Sequence, residues 1–508
     1  MPKRRLSGGL AVAALAFPSP LISGDFPDPT AVRTDEGDYV ALTSSGPWAP
    51  SLRVLRSPDL QRWRISSAVF FTTPRWVQKN FWAPEITRMG SGYAVFYSAL
   101  PRRRGGWFCL GVATAATPEG PWRDLGRPLR CGKNGSIDPF PVRDEGGQLQ
   151  LLWKADGNNF DRPTPIFTQR LREDGRGLLG RPRELIRNDR RWEGPVVEAP
   201  TVIRGPDGFF YMLYSGNLCC TRRCAYAVGV ARSARIIGPW RKFPGNPILR
   251  GGNGWRCPGH TGFVDDGQGG VVALYHAFRA GDLFAGRQML AAPVSFRLDG
   301  WPVIGDGHPP AAAPGAPGGS FRDDFAGSQL DTAWEHPLQR VPRVRTGDGV
   351  RLRAAARERG KGRARPRVDG AVLSRRVSSS SYTATTVLDR ATLRGGRTGG
   401  LASYYDAVDW MGVSAGSRSV TVWKRDGGRL RRLATAPTPA SGPVHLRMVA
   451  RGRRFSFGVG SDGAAWRPVG PAARGPFGDS GRLALIAGGP RLAEVRFVSA
   501  ALEELEQP

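Results

Sequence analysis

Apolar residues in this chain come in short runs. Five of them, Asp38–Thr43, Tyr93–Ser98, Leu149–Trp153, Phe210–Ser215 and Val271–His276, each follow a glycine or aspartate turn and read as strand cores. Between two units the match extends further, with Gly111-Val112-Ala113-Thr114 through Gly120-Pro121-Trp122 mirrored by Gly229-Val230-Ala231-Arg232 through Gly238-Pro239-Trp240. Each of the five units is about as long as one four-stranded blade. Sheets that are apolar on both faces hide them by packing radially, so the pattern predicts an all-β chain beginning with a five-bladed β-propeller.

The propeller is expected over residues 19–306. Residues 307–320 are mostly Pro, Ala and Gly, with nothing able to pack, and read as a linker. Residues 321–508 return to alternating strands, among them Tyr382–Val387, Ser419–Trp423 and Val444–Val449, with turns between them. A β-sandwich serving as an ancillary module is the expectation there.

Polar residues break the apolar runs in a repeating way. Asp28-Pro29, Ala83-Pro84-Glu85, Asp138-Pro139 and Glu198-Ala199-Pro200 each open a run, and Pro258-Gly259-His260 does so in the fifth unit. Asp28, Glu85, Asp138, Glu198 and His260 thus recur near the repeat length, which predicts equivalent places on five innermost strands, facing a central funnel. An ionised Glu198 inside a buried-strand pattern is costly unless its surroundings use it.

Composition narrows the class. In 508 residues the 68 Gly and 43 Pro favour many short strands and turns. The net charge of +30 would suggest nucleic acid, but the basic residues are spread along the chain and no recognition-helix, zinc-finger or RNA-binding pattern accompanies them, so nucleic acid is not an expected partner. Lys3-Arg4-Arg5 followed by the apolar Leu6–Phe17, with Ala14-Leu15-Ala16, reads as a signal peptide over residues 1–18, too short to span a bilayer. Export is expected on that reading, and a cytoplasmic location without it. The six cysteines, all between 109 and 257, fit disulfides in an oxidising compartment better than a zinc site. Cys109 with Cys131, and Cys257 with one of Cys219, Cys220 and Cys224, are the expected pairs.

Several carboxyls on one axis are sufficient for hydrolysing a glycosidic bond, which needs one protonated acid for the leaving oxygen and one carboxylate to activate water or attack. At this point the residues carry a resemblance. Gly24-Asp25-Phe26-Pro27-Asp28-Pro29-Thr30, Trp82-Ala83-Pro84-Glu85, Ser136-Ile137-Asp138-Pro139, Val197-Glu198-Ala199-Pro200-Thr201, Pro258-Gly259-His260 and Tyr275-His276 occur in the order found in glycoside hydrolase family 43, which the chain resembles over about residues 19–305. The resemblance implies an inverting hydrolase of arabinose- or xylose-containing polysaccharides or oligosaccharides. Asp28 would be the base that activates water, Glu198 the general acid, and Asp138 the acid that orients Glu198 and tunes its pKa. Asp25 lies outside the matching Asp-Pro slot. Trp82, Glu85, His260 and Arg287 would contact sugar.

No cofactor is implied, although the position of His260 in this family lies on the axis near a bound water or a structural calcium ion. Residues Asp323-Asp324-Phe325, Leu330–Trp334 and Gly400–Tyr404 are similar to the concanavalin-like sandwich of some family members, which implies a module that packs on the propeller and can close its pocket. The Glu-Ala-Pro spelling at Glu198 tilts the expectation toward an arabinofuranosidase or arabinanase over a β-xylosidase. Two alternatives stand beside it: a glycan-binding propeller without catalysis, and a retaining fructan- or sucrose-acting hydrolase, whose Asn-Asp-Pro-Asn motif is absent near the N-terminus. Oligomeric state is left open.

Overall fold

The computed structural model describes residues 17–505 except 104–105, 159–160, 222, 313–318, 354–366, 477, 479 and 491–493. The expected signal peptide therefore lies almost wholly outside the described residues, as does the middle of the expected linker.

The first part of the chain forms five antiparallel four-stranded sheets. Each predicted core lies in the second strand of its sheet: Tyr39–Thr43, Gly92–Pro101, Leu149–Lys154, Phe210–Gly216 and Val271–Arg279. These strands are buried along nearly their whole length because alternate side chains leave on opposite faces, and each face has a neighbouring sheet. Val40 and Leu42 pack with Val95 and Tyr97, whereas Tyr39 and Ala41 pack with Val272 and Leu274. Ala94 and Phe96 meet Leu151 and Trp153, Leu152 meets Met212, and Leu213 meets Tyr275. The five interfaces form a closed cycle. Thr30–Arg33 contacts both Val77–Met89 and Trp255–Asp265, so the first strands also follow one another around a ring. The N-terminal segment closes the seam, with Leu21 N–H donating to Met289 C=O at 2.9 Å.

The remaining residues form a β-sandwich. A six-stranded sheet runs Arg367–Arg376, Arg482–Gly489, Thr398–Tyr404, Trp410–Ala415, Ser419–Asp426 and Arg429–Pro437, and a nine-stranded sheet faces it. The predicted strands fall within Ser381–Leu388, Ser419–Asp426 and Val444–Arg451. Leu401, Val413 and Leu485 meet Leu446, Met448 and Phe497 between the layers. The sandwich is joined to the first part by more than its tether: His336–Pro337 pairs with Trp48–Ala49 as a two-stranded ribbon. Beside that ribbon, Glu335 is buried with Arg53, Arg376 and Arg482.

Candidate active site

The ring is marked by one backbone event repeated five times. Asp28, Ala83, Asp138, Ala199 and His260 all have left-handed φ, at 55°, 44°, 57°, 54° and 53°. Proline follows the first four, and Thr261 follows His260. Left-handed φ is uncommon outside glycine, so five occurrences at one place in five sheets mark equivalent positions. This corrects the predicted register. Asp28, Asp138 and His260 are equivalent, but Glu198 stands one residue before its axial position, level with Trp82, and Glu85 two residues after. A repeat read from acids alone could not detect an offset of one or two residues.

Each axial N–H needs an acceptor, since it is turned inward and buried. The preceding sheet supplies it from the end of its second strand. Ala83 N–H donates to Ser44 Oγ (2.7 Å), Asp138 N–H to Ser98 Oγ (3.1 Å), His260 N–H to Ser215 Oγ (2.8 Å) and Asp28 N–H to His276 Nδ1 (3.1 Å). The third sheet breaks the pattern, with Lys154 at this place. An ammonium cannot accept. Ala199 N–H donates instead to Asp138 Oδ2 at 2.8 Å, and Lys154 Nζ turns to Glu198 Oε2 at 2.7 Å and Asn158 Oδ1 at 2.8 Å.

Asp28 is buried. Its Oδ1 accepts from Arg287 Nη1 at 2.9 Å and lies 3.4 Å from His260 Nδ1, and its Oδ2 accepts from Ser44 Oγ at 2.5 Å. Burial alone would raise its pKa, but Arg287 and then His260 hold the carboxyl well below its usual range. Burial keeps the His276 imidazole neutral, with its pKa pushed down to about 4. The neutral ring accepts the Asp28 N–H at Nδ1, so the 3.2 Å approach of that nitrogen to Asp28 Oδ1 is a contact without a proton between them.

The other two acids form a coupled pair. Burial pushes Asp138 up to about 7, with the nearby Glu198 charge adding to the rise. Glu198 is also raised by burial, but Lys154 outweighs this and lowers it overall. Tyr226 Oη donates to Glu198 Oε1 at 2.7 Å, so both carboxylate oxygens are engaged. One proton near neutrality belongs to the pair and rests on the Asp138 side. His260 is the electrostatic neighbour common to Asp28, Asp138 and Glu198.

Among the other expected site residues, Arg287 reaches the cluster directly. Trp82 is half-buried, stacks on Phe108 with ring centroids 4.0 Å apart and packs against the cluster of Leu100, Phe108 and Ile137. Glu85 does not join the cluster. Burial pushes it up to about 8, with only partial relief from Thr30, and neither a hydrogen bond nor an ion pair links it to Asp28, Asp138, Glu198 or His260. Its place two residues along the strand removes it from the shared ring. Among the described residues no three His, Cys, Asp or Glu are grouped to hold a metal, so a calcium beside His260 would take its six to eight oxygens mainly from other groups, such as backbone carbonyls or water.

Sequence reasoning missed Lys154, Tyr226, His276 and Ser44 as site residues. Position at the close of a strand core was the available signal for three of them: His276 is the last residue of its core, and Ser44 and Lys154 are the first after theirs. Tyr226 had none, because a loop delivers it. Cys224–Cys257 ties that loop and Cys109–Cys131 bridges elsewhere, both as expected, whereas the bond between the adjacent Cys219 and Cys220 was not among the expected pairs. Tyr226 stacks on His276 with planes 4° apart, and Cys219 Sγ lies 3.8 Å from His276 Nε2. Gly259 permits this approach, since a Cβ there would come within 2.1 Å of the Tyr226 ring.

Comparison with known proteins places these features in context. The family model described as Glycosyl hydrolases family 43 matches residues 17–302, and that of the beta xylosidase C-terminal concanavalin A-like domain matches 322–479. A xylan 1,3-beta-xylosidase of Vibrio sp. is 29% identical over 245 residues, 46% of this chain but only 43% of the relative's length. A xylosidase/arabinosidase of Humicola insolens is 24% identical over 498 residues, 89% of this chain and 88% of that one. The crystal structure of a xylan beta-1,4-xylosidase from Bacillus halodurans shares the fold with a TM-score of 0.79 at 22% identity, covering 96% of this chain and all of the other.

Proposed function

The chain belongs to glycosyl hydrolase family 43, and from that premise we propose that it is an inverting glycosidase releasing α-L-arabinofuranosyl or β-D-xylosyl units from plant polysaccharides or oligosaccharides. The cyclic order of the sheets supports reading them as five blades of a propeller over residues 19–306, with 307–320 as tether and 321–508 as ancillary module. The site lies on the propeller axis.

The observation that carries the reading is the opposed charge state of the acids. Inversion needs a carboxylate free to take a proton from water and an acid that still holds one for the leaving oxygen. Asp28 is kept ionised by Arg287, whereas the Asp138–Glu198 pair retains a proton to about pH 7. Water held by Asp28 attacks the anomeric carbon as its proton passes to Asp28. The C–O bond to the leaving group breaks, and that oxygen takes the proton of the pair through Glu198. An approaching sugar oxygen that weakens the hold of Lys154 raises the pKa of Glu198, which then carries the proton of the pair. A purely glycan-binding propeller would have no use for such opposed states.

Choice of pentose rests on less than the spelling suggested. Ala199 carries the same left-handed φ as its four counterparts, a conformation glycine adopts freely. The backbone therefore gives no reason for Ala at this place, and with relatives named both xylosidase and xylosidase/arabinosidase, xylosides and arabinofuranosides stand level. Three bonded cysteine pairs support an oxidising, extracytoplasmic compartment, and no helix among the described residues is long and apolar enough to cross a membrane.

The test is hydrolysis of aryl α-L-arabinofuranoside, aryl β-D-xyloside and linear arabinan, with the first-formed anomer read by NMR. Turnover of at least one with inverted configuration is expected. Retained configuration, or no turnover of any, would overturn the reading.

A further inference from the structure

Arg287 is the cation closest to Asp28, and its own placement depends on the other half of the molecule. Both backbone groups of Arg287 are clasped by the N-terminal segment: its N–H donates to Asp25 Oδ1 at 2.9 Å, and its C=O accepts from Phe26 N–H at 2.9 Å. Gly286 permits the clasp, since a Cβ there would lie 2.4 Å from Asp25 Oδ1.

Asp25 and Phe26 are in turn held from the sandwich. Ser480 Oγ donates to Asp25 Oδ2 at 2.8 Å, Arg376 donates to Asp25 C=O, and the Arg376 guanidinium lies 4.4 Å above the Phe26 ring. The strand leading to Arg287 is gripped as well. Ser380 N–H donates to Asp282 Oδ2 at 2.8 Å, Gly481 N–H donates to Phe284 C=O at 3.0 Å, and the Phe284 ring meets Tyr405 edge-on at 5.5 Å. A Cβ on Gly481 would fall 2.1 Å from that ring. Every one of these contacts bears on the two segments that fix Arg287.

We propose that the sandwich is a positioning part of the active site, acting from Ser480 through the Asp25 carboxylate and the Arg287 backbone to set the guanidinium on Asp28. Asp25, three residues before Asp28 and outside the acid repeat, is the positioning residue. The proposal rests on the reading of Asp28 as the water-activating base. It gives the second domain a part in the chemistry through the placement of Arg287.

A double-mutant cycle decides it. Ser480→Ala in the full chain is expected to lower kcat/KM about tenfold, within the range that coupled neighbours give. It should also shift the acidic limb of the kcat/KM profile to higher pH, because Asp28 loses part of its hold from Arg287. Asp25→Ala should do the same more strongly, and Asp25→Asn, which keeps an acceptor oxygen for the Arg287 N–H, should recover part of the loss. In an Arg287→Ala background Ser480→Ala should cost less than about twofold. An equal loss in both backgrounds, or an unmoved limb, overturns the proposal. Hydrogen exchange over residues 282–290 supplies an arm free of activity: exchange should quicken in Ser480→Ala, and unchanged protection overturns the coupling. An inactive wild type with quickened exchange in the variant would sink the proposed function and leave the coupling standing.

Discussion

Two buried clusters of charge lie within this molecule, and they are built to opposite ends. At the joint, Glu335 accepts from Arg53 Nε at 3.1 Å and from Arg482 Nε at 2.9 Å, and pairs with Arg376 Nη2 at 3.0 Å. Burial would raise its pKa, but Arg376, Arg482 and Arg53 drive it far below the usual range. Arg53 also donates to Trp334 C=O, and Arg482 lies 4.3 Å above the Trp48 ring. Three guanidiniums cover the buried carboxylate, leaving no room for a reacting molecule. On the axis the charges are just as displaced from solution behaviour, yet the Glu198 side chain is 17% exposed and that of Arg287 21%, against 1% for Glu335. A perturbed pKa therefore marks both a joint and a site. What separates them is whether the cluster leaves room and bonding capacity for something else.

Cutting each cluster at its carboxylate should separate them most sharply. Glu198→Gln should lower kcat by about a thousandfold, the scale of a lost general acid, while the thermal unfolding midpoint stays near the wild-type value. A variant with near wild-type turnover on unactivated glycosides would remove Glu198 from the mechanism. Glu335→Gln should show its loss in folding, about 3–5 kcal/mol by denaturant titration, because three guanidiniums lose the charge that compensates them.

The pH signature differs as well. The folded pKa of Glu335 is depressed, so its stabilisation is complete above the unfolded value near 4.5 and is lost as pH falls through the folded value. Stability measured on the acid side of pH 4.5 should consequently fall less steeply in Glu335→Gln than in wild type. Matching slopes would mean that Glu335 is not the buried anion that the geometry describes.

Lys154→Met probes the axial cluster at intermediate strength. Lys154 lowers both members of the acid pair, so its removal lets the pair keep its proton to higher pH. The basic limb of kcat/KM, set by loss of that proton, should move up by about one pH unit, equivalent to roughly 1.4 kcal/mol. A limb that stays in place would show that Lys154 does not control the donor.

The smallest effect is expected at the edge of the site. Cys219 Sγ lies 3.8 Å from His276 and 4.0 Å from Arg287 without touching a carboxylate. Replacing Cys219 and Cys220 together by Ala should change KM by a few-fold and kcat less, since the wall shifts while the acids stay. A collapse of kcat would extend the axial cluster out to this loop.

Much of this was legible beforehand. The five strand cores, the sandwich strands and the three acids could be read from local pattern, because burial on both faces leaves unbroken apolar runs and an acid within such a run stands out. The axial register could not. It depends on a left-handed residue whose only mark in the chain is the proline that often follows, and Asp-Pro and Ala-Pro look alike as turn starters. Glu335 had no signal at all, since Trp334-Glu335-His336 resembles any loop until Arg53, Arg376 and Arg482 arrive from far along the chain.

By itself, then, the sequence determined how many sheets form and which acids stand near the start of their first strands, since strand burial and turn chemistry are local properties of consecutive residues. Tertiary structure alone decided how those acids work. Lys154 meets Glu198 across 44 residues, Arg287 meets Asp28 across 259, and Ser480 meets Asp25 across 455. Charge state depends on the nearest opposing charge and on access to water, and closure of the ring and docking of the sandwich set both.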